Sequence, residues 1–348
     1  MLAAIENTTL LDDVFAEDPT TMSLESYLAD RTNHEAGLFV LSGTMGNQVA
    51  IRSHLTQPPH SVLCDHRSHL LGWEAGGVAT LSGALVNSVV PSNGEYLMLK
   101  DIEKNVVISD NVHSCPTKVI SLENTLAGMI TPLEEVRQIS AFARKHGIKM
   151  HLDGARIWEA VVAGAGSLPE FTQEFDSASL CFSKGLGAPI GSMLVGSKEF
   201  IKRARWVRKS IGGGLRQSGV VTAAARVAVD ETFGKGPNGD GNLLKQAHIR
   251  ARNIANTWID LGGKLTHPTA TNMVWLDLED AGLPDEQFAE LGKAKGLKFL
   301  DGRLVVHYQI SDEAVSKLEE LMKEILQNRK ANGTNAKRRK VGEKAYGT

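Results

Sequence analysis

The chain has 348 residues, of which 42% are hydrophobic and 22% are charged, the composition of an ordinary soluble globular protein with room for one large domain and a small one. Its formal net charge of −2 gives no electrostatic reason to expect nucleic acid or an acidic membrane as a partner, and no apolar run approaches the roughly 20 residues that span a bilayer. Three widely spaced cysteines fit neither a disulfide framework nor a zinc pattern, and residues 1–15 contain no Lys or Arg, so we expect a reducing compartment, the cytoplasm by default, and no metal.

Gly-rich turns separate short apolar runs from helical patterns along the first two thirds of the chain. Ser42-Gly-Thr44 leads into a predicted helix over 45–55. A second helix is predicted from an N-cap at Thr131, with Pro132 at its first position, to about residue 146, where Gly147 ends it. The apolar runs predict strands over 36–41, 62–64, 148–152 and 177–182.

Strands that alternate with helices predict a mainly parallel sheet covered on both faces. In such sheets, ligands bind at the carboxyl ends of the strands. Thr44, Asp153 and Lys184 each follow a predicted strand. We therefore expect these three residues to share a site.

The Gly-rich stretch 234–241 predicts a domain boundary. Beyond it, the patterns predict a helix over 242–261, strands over 272–278 and 303–307, and a last helix over 311–328. The predicted divisions are an N-terminal arm (1–20), a large domain (21–235), a small C-terminal domain (236–328) and a disordered basic tail (329–348). The stretch 337–341 in the tail resembles a nuclear-import signal, but such runs are common by chance, and a solvated tail is favoured.

Lys184 stands between an apolar run and a Gly-Leu-Gly-Ala-Pro turn, an unusual place for a surface charge. Partial burial lowers the pKa of an amine and makes it a better imine former. The neighbouring glycines let a flat cofactor approach the backbone. Taken alone, however, an ordinary loop lysine is the favoured interpretation.

Asp153 and Arg156 belong to the stretch His151-Leu-Asp-Gly-Ala-Arg156. A carboxylate at a strand end can keep a pyridinium nitrogen protonated, which strengthens the ring as an electron sink. Arg156 can bind a substrate carboxylate with its planar fork, or pair with a local acid. On their own, Asp153 with its following glycine is simply a turn signal, and Arg156 is interpreted as an ion-pair residue.

Gly43 and Thr44 open a helix, where free N–H groups and the positive end of the helix dipole suit a phosphate, although an ordinary N-cap uses the same residues. His69 follows the strand at 62–64, and its imidazole can stack on a pyridine ring and transfer protons. The alternative is a partly buried, hydrogen-bonded histidine. His66 competes with His69 for the role.

Taken together, these motifs resemble the L-threonine aldolases, in the aspartate-aminotransferase-like (fold type I) group of pyridoxal-5′-phosphate (PLP) enzymes. The resemblance covers residues 12 to about 328 and implies an α/β fold, with a mainly parallel seven-stranded sheet and a smaller α+β C-terminal domain. Any one motif is unspecific, whereas the set is highly specific. The matching stretches are Asp13-Val-Phe-Ala-Glu-Asp-Pro-Thr20, Ser42-Gly-Thr-Met-Gly-Asn47, Glu74-Ala-Gly-Gly77, Leu122-Glu-Asn-Thr125, His151-Leu-Asp-Gly-Ala-Arg156, Ser183-Lys-Gly-Leu-Gly-Ala-Pro189 and Gly212-Gly-Gly-Leu-Arg-Gln-Ser-Gly219.

The resemblance implies how the cofactor is held. Lys184 matches the lysine that forms a Schiff base with PLP, Asp153 the partner of the pyridine nitrogen, and His69 the histidine stacked on the ring. Gly43 and Thr44 match the phosphate cradle.

The resemblance also implies the substrate contacts and the assembly. Arg156 and Arg303 match the arginines that bind the substrate carboxylate. Arg216 matches a residue near the cofactor that is expected from a neighbouring subunit. A homo-oligomer, a dimer or a tetramer with shared active sites, is therefore implied.

The implied reaction is the cleavage of threonine and related β-hydroxy-α-amino acids to glycine and an aldehyde, with His69 or a water that it orders as the base. The chain departs from the family pattern twice. Residues 1–11 lack the usual Asp-Leu-Arg-Ser-Asp-Thr segment, whose serine helps to hold the substrate carboxylate, and Leu126 replaces a histidine found in many members. The alternatives are a PLP-dependent amino-acid racemase of the same family and a non-catalytic, oligomer-forming remnant.

Overall fold

The computed structural model describes residues 1–332, and describes side chains as far as Gln327. The basic stretch 337–341, and the part of the predicted tail beyond 332, lie outside the described residues. The last helix continues to Asn332, past the predicted start of the tail at 329. It can do so because the sequence contains no Gly or Pro between residue 312 and Gly333.

The chain divides into two compact units. The first comprises Met1–Leu126 and Ile130–Asn242, and the second comprises Ala127–Met129 and the chain from Leu243 onward. No helix of the described residues is long and apolar enough to cross a membrane.

The first unit, in its described part, is built on a seven-stranded sheet. Its strands are β1 (Ala36–Val40), β2 (Ser61–Asp65), β3 (Leu85–Val89), β4 (Thr117–Glu123), β5 (Lys149–Gly154), β6 (Ser177–Cys181) and β7 (Ser192–Gly196). Their spatial order is β1-β7-β6-β5-β4-β2-β3. β7 is antiparallel to β1 and β6, and the other neighbours are parallel, which confirms the predicted mainly parallel sheet.

The helices of the first unit connect and cover these strands. They are α1 (Leu2–Glu6), α2 (Pro19–Arg31), α3 (Gly43–His54), α4 (His69–Gly72), α5 (Gly77–Ser82), α6 (Leu99–Asn105), α7 (Leu133–Lys145), α8 (Ile157–Val162), α9 (Leu168–Thr172), α10 (Lys198–Ser210) and α11 (Gly219–Ala228), followed by a π-helical turn at Val229–Phe233. α3 begins two residues before the predicted start because the Ser42 side chain caps it, accepting a hydrogen bond from the Met45 N–H at 3.0 Å. Gly43 and Thr44 therefore lie in its first turn.

The predicted N-cap of α7 is wrong by one residue. Pro132 is the N-cap, and its carbonyl accepts from the Val136 N–H at 3.1 Å. Thr131 stays in the preceding loop because its N–H and C=O bond to the Asn124 amide, at 3.4 and 3.3 Å. Gly147 follows the helix with a φ of 64°, as the sequence predicts.

The second unit contains a three-stranded antiparallel sheet in its described part, with the order β10-β9-β8 for β8 (Leu265–His267), β9 (Met273–Leu276) and β10 (Arg303–Val305). Its helices are α12 (Asn242–Asp260), α13 (Leu278–Ala281), α14 (Asp285–Ala294) and α15 (Asp312–Asn332). The strand predicted over 272–278 is shorter because Asp277 caps α13, accepting from the Asp280 N–H at 2.8 Å. Trp258, Phe288 and Met322 are fully buried in the core of this unit.

Candidate active site

Acidic residues collect at the carboxyl ends of the central parallel strands. Glu123 ends β4 and lies in register with Asp153 of β5. Asp153 lies in register with Ser179 of β6, and the turn after β6 carries Lys184. Both side chains are buried, with Glu123 7% and Asp153 3% exposed. This edge of the sheet is where an open α/β fold binds its ligands.

Asn47, on α3, connects this edge to His69. Its Nδ2 donates to Asp153 Oδ2 at 2.7 Å and to Glu74 Oε1 at 2.8 Å. Glu74 Oε1 also lies 2.8 Å from His69 Nδ1. The structure thus brings the predicted residues His69 and Asp153 together, through two residues to which the sequence analysis gave no role.

Two glycines of the sequence motifs make this packing possible. A Cβ atom at Gly46 would lie 2.3 Å from Ser179 Oγ, so glycine lets α3 approach β6. A Cβ atom at Gly77 would lie 2.6 Å from the Gln48 side chain, which donates to Glu74 Oε2. These motif glycines therefore serve the placement of the polar side chains beside them.

His69 is held at two points and remains partly exposed. Its backbone N–H donates to Glu123 Oε2 at 3.0 Å, and its side chain is 31% exposed. The hydrogen bond to Glu74 raises the pKa of His69 above its ordinary value, against the effect of burial. The competing residue His66 lies beside Asp65 instead, with 3.2 Å between Nδ1 and Oδ1.

Glu123 is a site residue that the sequence analysis missed. Burial, and then the charge of Asp153, raises its pKa to about 8, while the His69 N–H and the charge of Lys184 oppose that rise. Its carboxyl therefore holds its proton to a higher pH than an ordinary glutamate does. The available signal was its position in Leu122-Glu-Asn-Thr125, directly after an apolar strand.

Lys184 lies half-buried in a tight turn after β6. The Gly187 N–H donates to the Lys184 carbonyl, and the Ala188 N–H donates to the Phe182 carbonyl, both at 2.9 Å. Within residues 1–332, the Lys184 amine makes no hydrogen bond or ion pair. An amine in this situation is available for covalent chemistry.

The start of α3 has the donor set of a phosphate site. The first N–H groups of a helix have no partner within it, and Gly43 and Thr44 provide them here. Ser192 Oγ is buried and has no hydrogen-bond partner among the described residues, and a Cβ atom at Gly43 would lie 3.7 Å from it. An unpaired buried hydroxyl beside a helix N-terminus fits the phosphate of PLP.

The three predicted arginines lie in different surroundings. Arg156 precedes α8, is half-buried, and has no hydrogen bond or ion pair within the described part of the chain. Arg216 is 62% exposed, and its Nε lies 2.6 Å from Asp12 Oδ2 of its own chain. Arg303 lies in the second unit on β10, with its guanidinium 6.0 Å from the ring centroid of Trp275. The role expected for Arg216 across a subunit boundary stays a prediction.

Comparison with known proteins gives a family match and several close relatives. The model of a family described as "Beta-eliminating lyase" matches residues 1–281. Aldolase vrtJ of Penicillium aethiopicum is 59% identical over 326 residues, which cover 94% of this chain and 82% of the relative. Alanine racemase TOXG of Cochliobolus carbonum is 44% identical, covering 94% and 84%. The low-specificity L-threonine aldolase of Candida albicans is 45% identical, covering 92% and 84%.

Solved structures share the fold. The threonine aldolase of Leishmania major superposes with a TM-score of 0.77 at 18% identity, covering 93% of this chain and 94% of that one. A structure of SPT with PLP superposes with a TM-score of 0.69 at 17% identity, covering 94% and 83%. The fold is that of the PLP enzymes of fold type I, as the sequence motifs predict.

Proposed function

The chain belongs to the beta-eliminating lyase family, and we propose that it is a PLP-dependent aldehyde-lyase that cleaves L-threonine, L-allo-threonine and related β-hydroxy-α-amino acids to glycine and an aldehyde. The observation that carries this proposal is the connection of His69 to Asp153 through Glu74 and Asn47, at the strand edge that also bears Lys184. The name of the Candida albicans relative supports the substrate.

The residues at this edge fit PLP. The Lys184 amine would hold the cofactor covalently, Asp153 would keep its ring nitrogen protonated, and His69 would stack on the ring. Gly43, Thr44 and Ser192 would bind its phosphate, and Arg216 is proposed near it from a neighbouring subunit. When bound, PLP supplies an electron sink for the charge that develops on the substrate Cα.

Protein side chains bind the substrate carboxylate and accept the β-hydroxyl proton. Arg156 binds the substrate carboxylate, and Arg303 is proposed for the same group on the resemblance alone. The Nδ1–H of His69 donates a hydrogen bond to Glu74. In the neutral ring, Nε2 is then unprotonated and can accept the β-hydroxyl proton. The raised pKa makes Nε2 a stronger base. General-base help of this kind is typically worth about 10²–10⁴-fold in rate.

The proton balance of the reaction follows. The β-hydroxyl loses its proton to His69 as the Cα–Cβ bond breaks, and the aldehyde leaves. Cα then gains a proton, either from the protonated His69 or from a water while His69 releases its proton to solvent, so that no net proton is consumed, and glycine is released. For threonine, the aldehyde is acetaldehyde.

Racemization of an amino acid is the second candidate, because alanine racemase TOXG is 44% identical over nearly the whole chain. The same residues would serve, since the two reactions differ in the bond at Cα that breaks. A non-catalytic remnant is the third candidate. We also propose a cytoplasmic homo-oligomer, a dimer or a tetramer.

The test is to purify the full chain with PLP and incubate it with L-threonine, L-allo-threonine or L-alanine. We expect visible cofactor absorbance that borohydride bleaches, aldehyde and glycine from the first two substrates, and no D-alanine. D-alanine without aldehyde would establish the racemase, and a colourless, inert protein the remnant.

The matched variants are Lys184→Ala and, as a control, the exposed Lys202→Ala. Lys184→Ala should lose the bleachable absorbance and nearly all turnover while keeping its circular dichroism, whereas Lys202→Ala should resemble the wild type. Normal turnover in Lys184→Ala would contradict the assignment.

A further inference from the structure

A chain of hydrogen bonds leads from the site into the interior of the first unit. Asn47 Oδ1 lies 3.1 Å from His151 Nε2, and His151 Nδ1 lies 2.8 Å from Ser177 Oγ. Ser177 Oγ lies 2.7 Å from His54 Nε2. Asn47, His151 and Ser177 are at most 1% exposed. Asn47 belongs to the connection between His69 and Asp153, whereas His54, His151 and Ser177 have no role in the proposed reaction.

The direction of the first bond follows from the partners of Asn47. Its nitrogen faces the carboxylate oxygens of Asp153 and Glu74, which only accept hydrogen bonds, so its oxygen must face His151. An amide oxygen is also an acceptor only. His151 Nε2 therefore carries a proton, and this N–H donates a hydrogen bond to Asn47 Oδ1.

The direction of the other bonds follows from the charge state of the two histidines. Burial lowers the pKa of His151 to about 3, so the ring is neutral and its Nδ1 is an acceptor. The Ser177 hydroxyl must then donate a hydrogen bond to His151 Nδ1. Burial lowers the pKa of His54 to about 4, and its Nε2–H donates to the Ser177 oxygen. In each of these hydrogen bonds, the donor is thus the residue farther from the site and the acceptor is the residue nearer to it.

We infer that Ser177 and His151 are positioning residues that fix the Asn47 amide with its N–H groups toward Asp153 and Glu74. The inference deepens the proposed function and rests on the role given there to Asp153. If Asn47 turned over, its oxygen would face two carboxylates. Asp153 would then lose a hydrogen bond that stabilises its ionised form, and with it part of its hold on a protonated ring nitrogen.

The variant that tests this is Ser177→Ala, which removes the proton donor to His151 without touching a residue of the site. The matched control is Ser140→Ala, because Ser140 is fully buried and donates to the Glu174 carbonyl at 2.7 Å. We expect Ser177→Ala to lower kcat on threonine about 10–100-fold, the factor for a lost charge-assisted hydrogen bond. The pH midpoint of PLP absorbance should also move, while Ser140→Ala and the hydroxyl-retaining Ser177→Thr should resemble the wild type.

A second readout does not need turnover. Histidine ¹⁵N NMR of the PLP-loaded full chain should show His151 as a single Nε2–H tautomer in the wild type and as a mixture in Ser177→Ala, with the signal assigned by its loss in His151→Gln. A charged His151, an Nδ1–H tautomer in the wild type, or a Ser177→Ala protein that matches Ser140→Ala would overturn the inference. A wild type that fails to cleave threonine would overturn the proposed function instead. The tautomer of His151 would still test the positioning role of Ser177 and His151.

Discussion

Two clusters of buried acids in the first unit are built in opposite ways. In the paired cluster, Asp13 Oδ2 lies 2.7 Å from Arg208 Nη2, and Glu25 binds Arg205. Arg208 also donates to the Phe39 carbonyl at 2.6 Å. Each acid of this cluster therefore has an arginine partner.

The site cluster consists of Glu74, Glu123 and Asp153. Within residues 1–332, none of its three carboxyls forms an ion pair with Arg or Lys. Its hydrogen-bond donors are the side chains of Asn47, Gln48 and His69, and the backbone N–H groups of His69 and Ala155.

Under the proposed function, the difference separates a cluster that serves the fold from one that serves the chemistry. Buried carboxylates without a cation destabilise a fold, and groups in that state gather at functional sites. A positively charged ring nitrogen would supply the missing cation for Asp153. Damage to the paired cluster should therefore lower the free energy of unfolding and leave the chemistry intact. Damage to the site cluster should slow turnover without lowering the free energy of unfolding.

The largest effect is expected from Arg208→Met, which leaves Asp13 buried without its closest cation. Breaking one side of a buried ion pair typically costs about 3–5 kcal/mol, so the free energy of unfolding in urea should fall by about that amount. Arg137, which pairs at the surface with Glu134 and Glu170, provides the control, since Arg137→Met should cost less than about 1 kcal/mol. Equal stability of the two variants would contradict the role assigned to the paired cluster.

The next effect is expected from Asp153→Asn. The amide cannot hold the ring nitrogen protonated by charge, so turnover should fall about 10²–10³-fold, the usual size for a lost preorganised electrostatic contact. Bound PLP should change little, and the urea midpoint should not fall, because a buried uncompensated charge has been removed. Wild-type turnover with PLP bound would place the ring-nitrogen partner elsewhere.

The sequence predicted part of this site because strand ends can be recognised locally. Asp153 and Lys184 directly follow apolar runs, and a parallel sheet brings such ends to one edge. Asn47 and Glu74 belong to recognisable sequence motifs, but their roles could not be predicted, because they depend on the contact between α3 and the loop after α4. Ser177 lies at the other end of β6 from Lys184, and nothing local marks it.

The fold shows the same limit. Alternating strands and helices predicted the parallel sheet, whereas element ends depended on particular side-chain contacts. Asn124 keeps Thr131 out of α7, and Asp277 shortens β9 by capping α13. Neither contact leaves a signal in the hydrophobic pattern, because both involve single polar residues in loops.

A smaller effect is expected from the pH dependence of the site cluster. Because the pKa of Glu123 is raised from 4.5 to about 8 in the folded protein, the folded state holds this proton more tightly. The stability that it contributes is fully present below pH 4.5 and is lost as the pH rises through 8. His69 acts in the same direction, since its pKa is raised as well.

Glu123→Gln removes the first contribution and keeps the second. The free energy of unfolding should therefore fall less between pH 5 and 8 in the variant than in the wild type, as measured by urea titration at each pH. Parallel curves for the two proteins would show that Glu123 is already ionised at pH 5.

The smallest effect is expected at Leu126, which ends the first stretch of the first unit and is 4% exposed. An apolar side chain offers no hydrogen bond to a substrate hydroxyl, so we expect the wild type to discriminate poorly between threonine and allo-threonine. Leu126→His restores the residue found in many similar enzymes. One neutral hydrogen bond is worth about 1 kcal/mol, so the ratio of kcat/KM for the two substrates should change about fivefold. Leu126→Met keeps the volume and adds no donor, and its ratio should stay that of the wild type. The same ratio in all three proteins would show that Leu126 acts as a core residue and that specificity is set by other side chains.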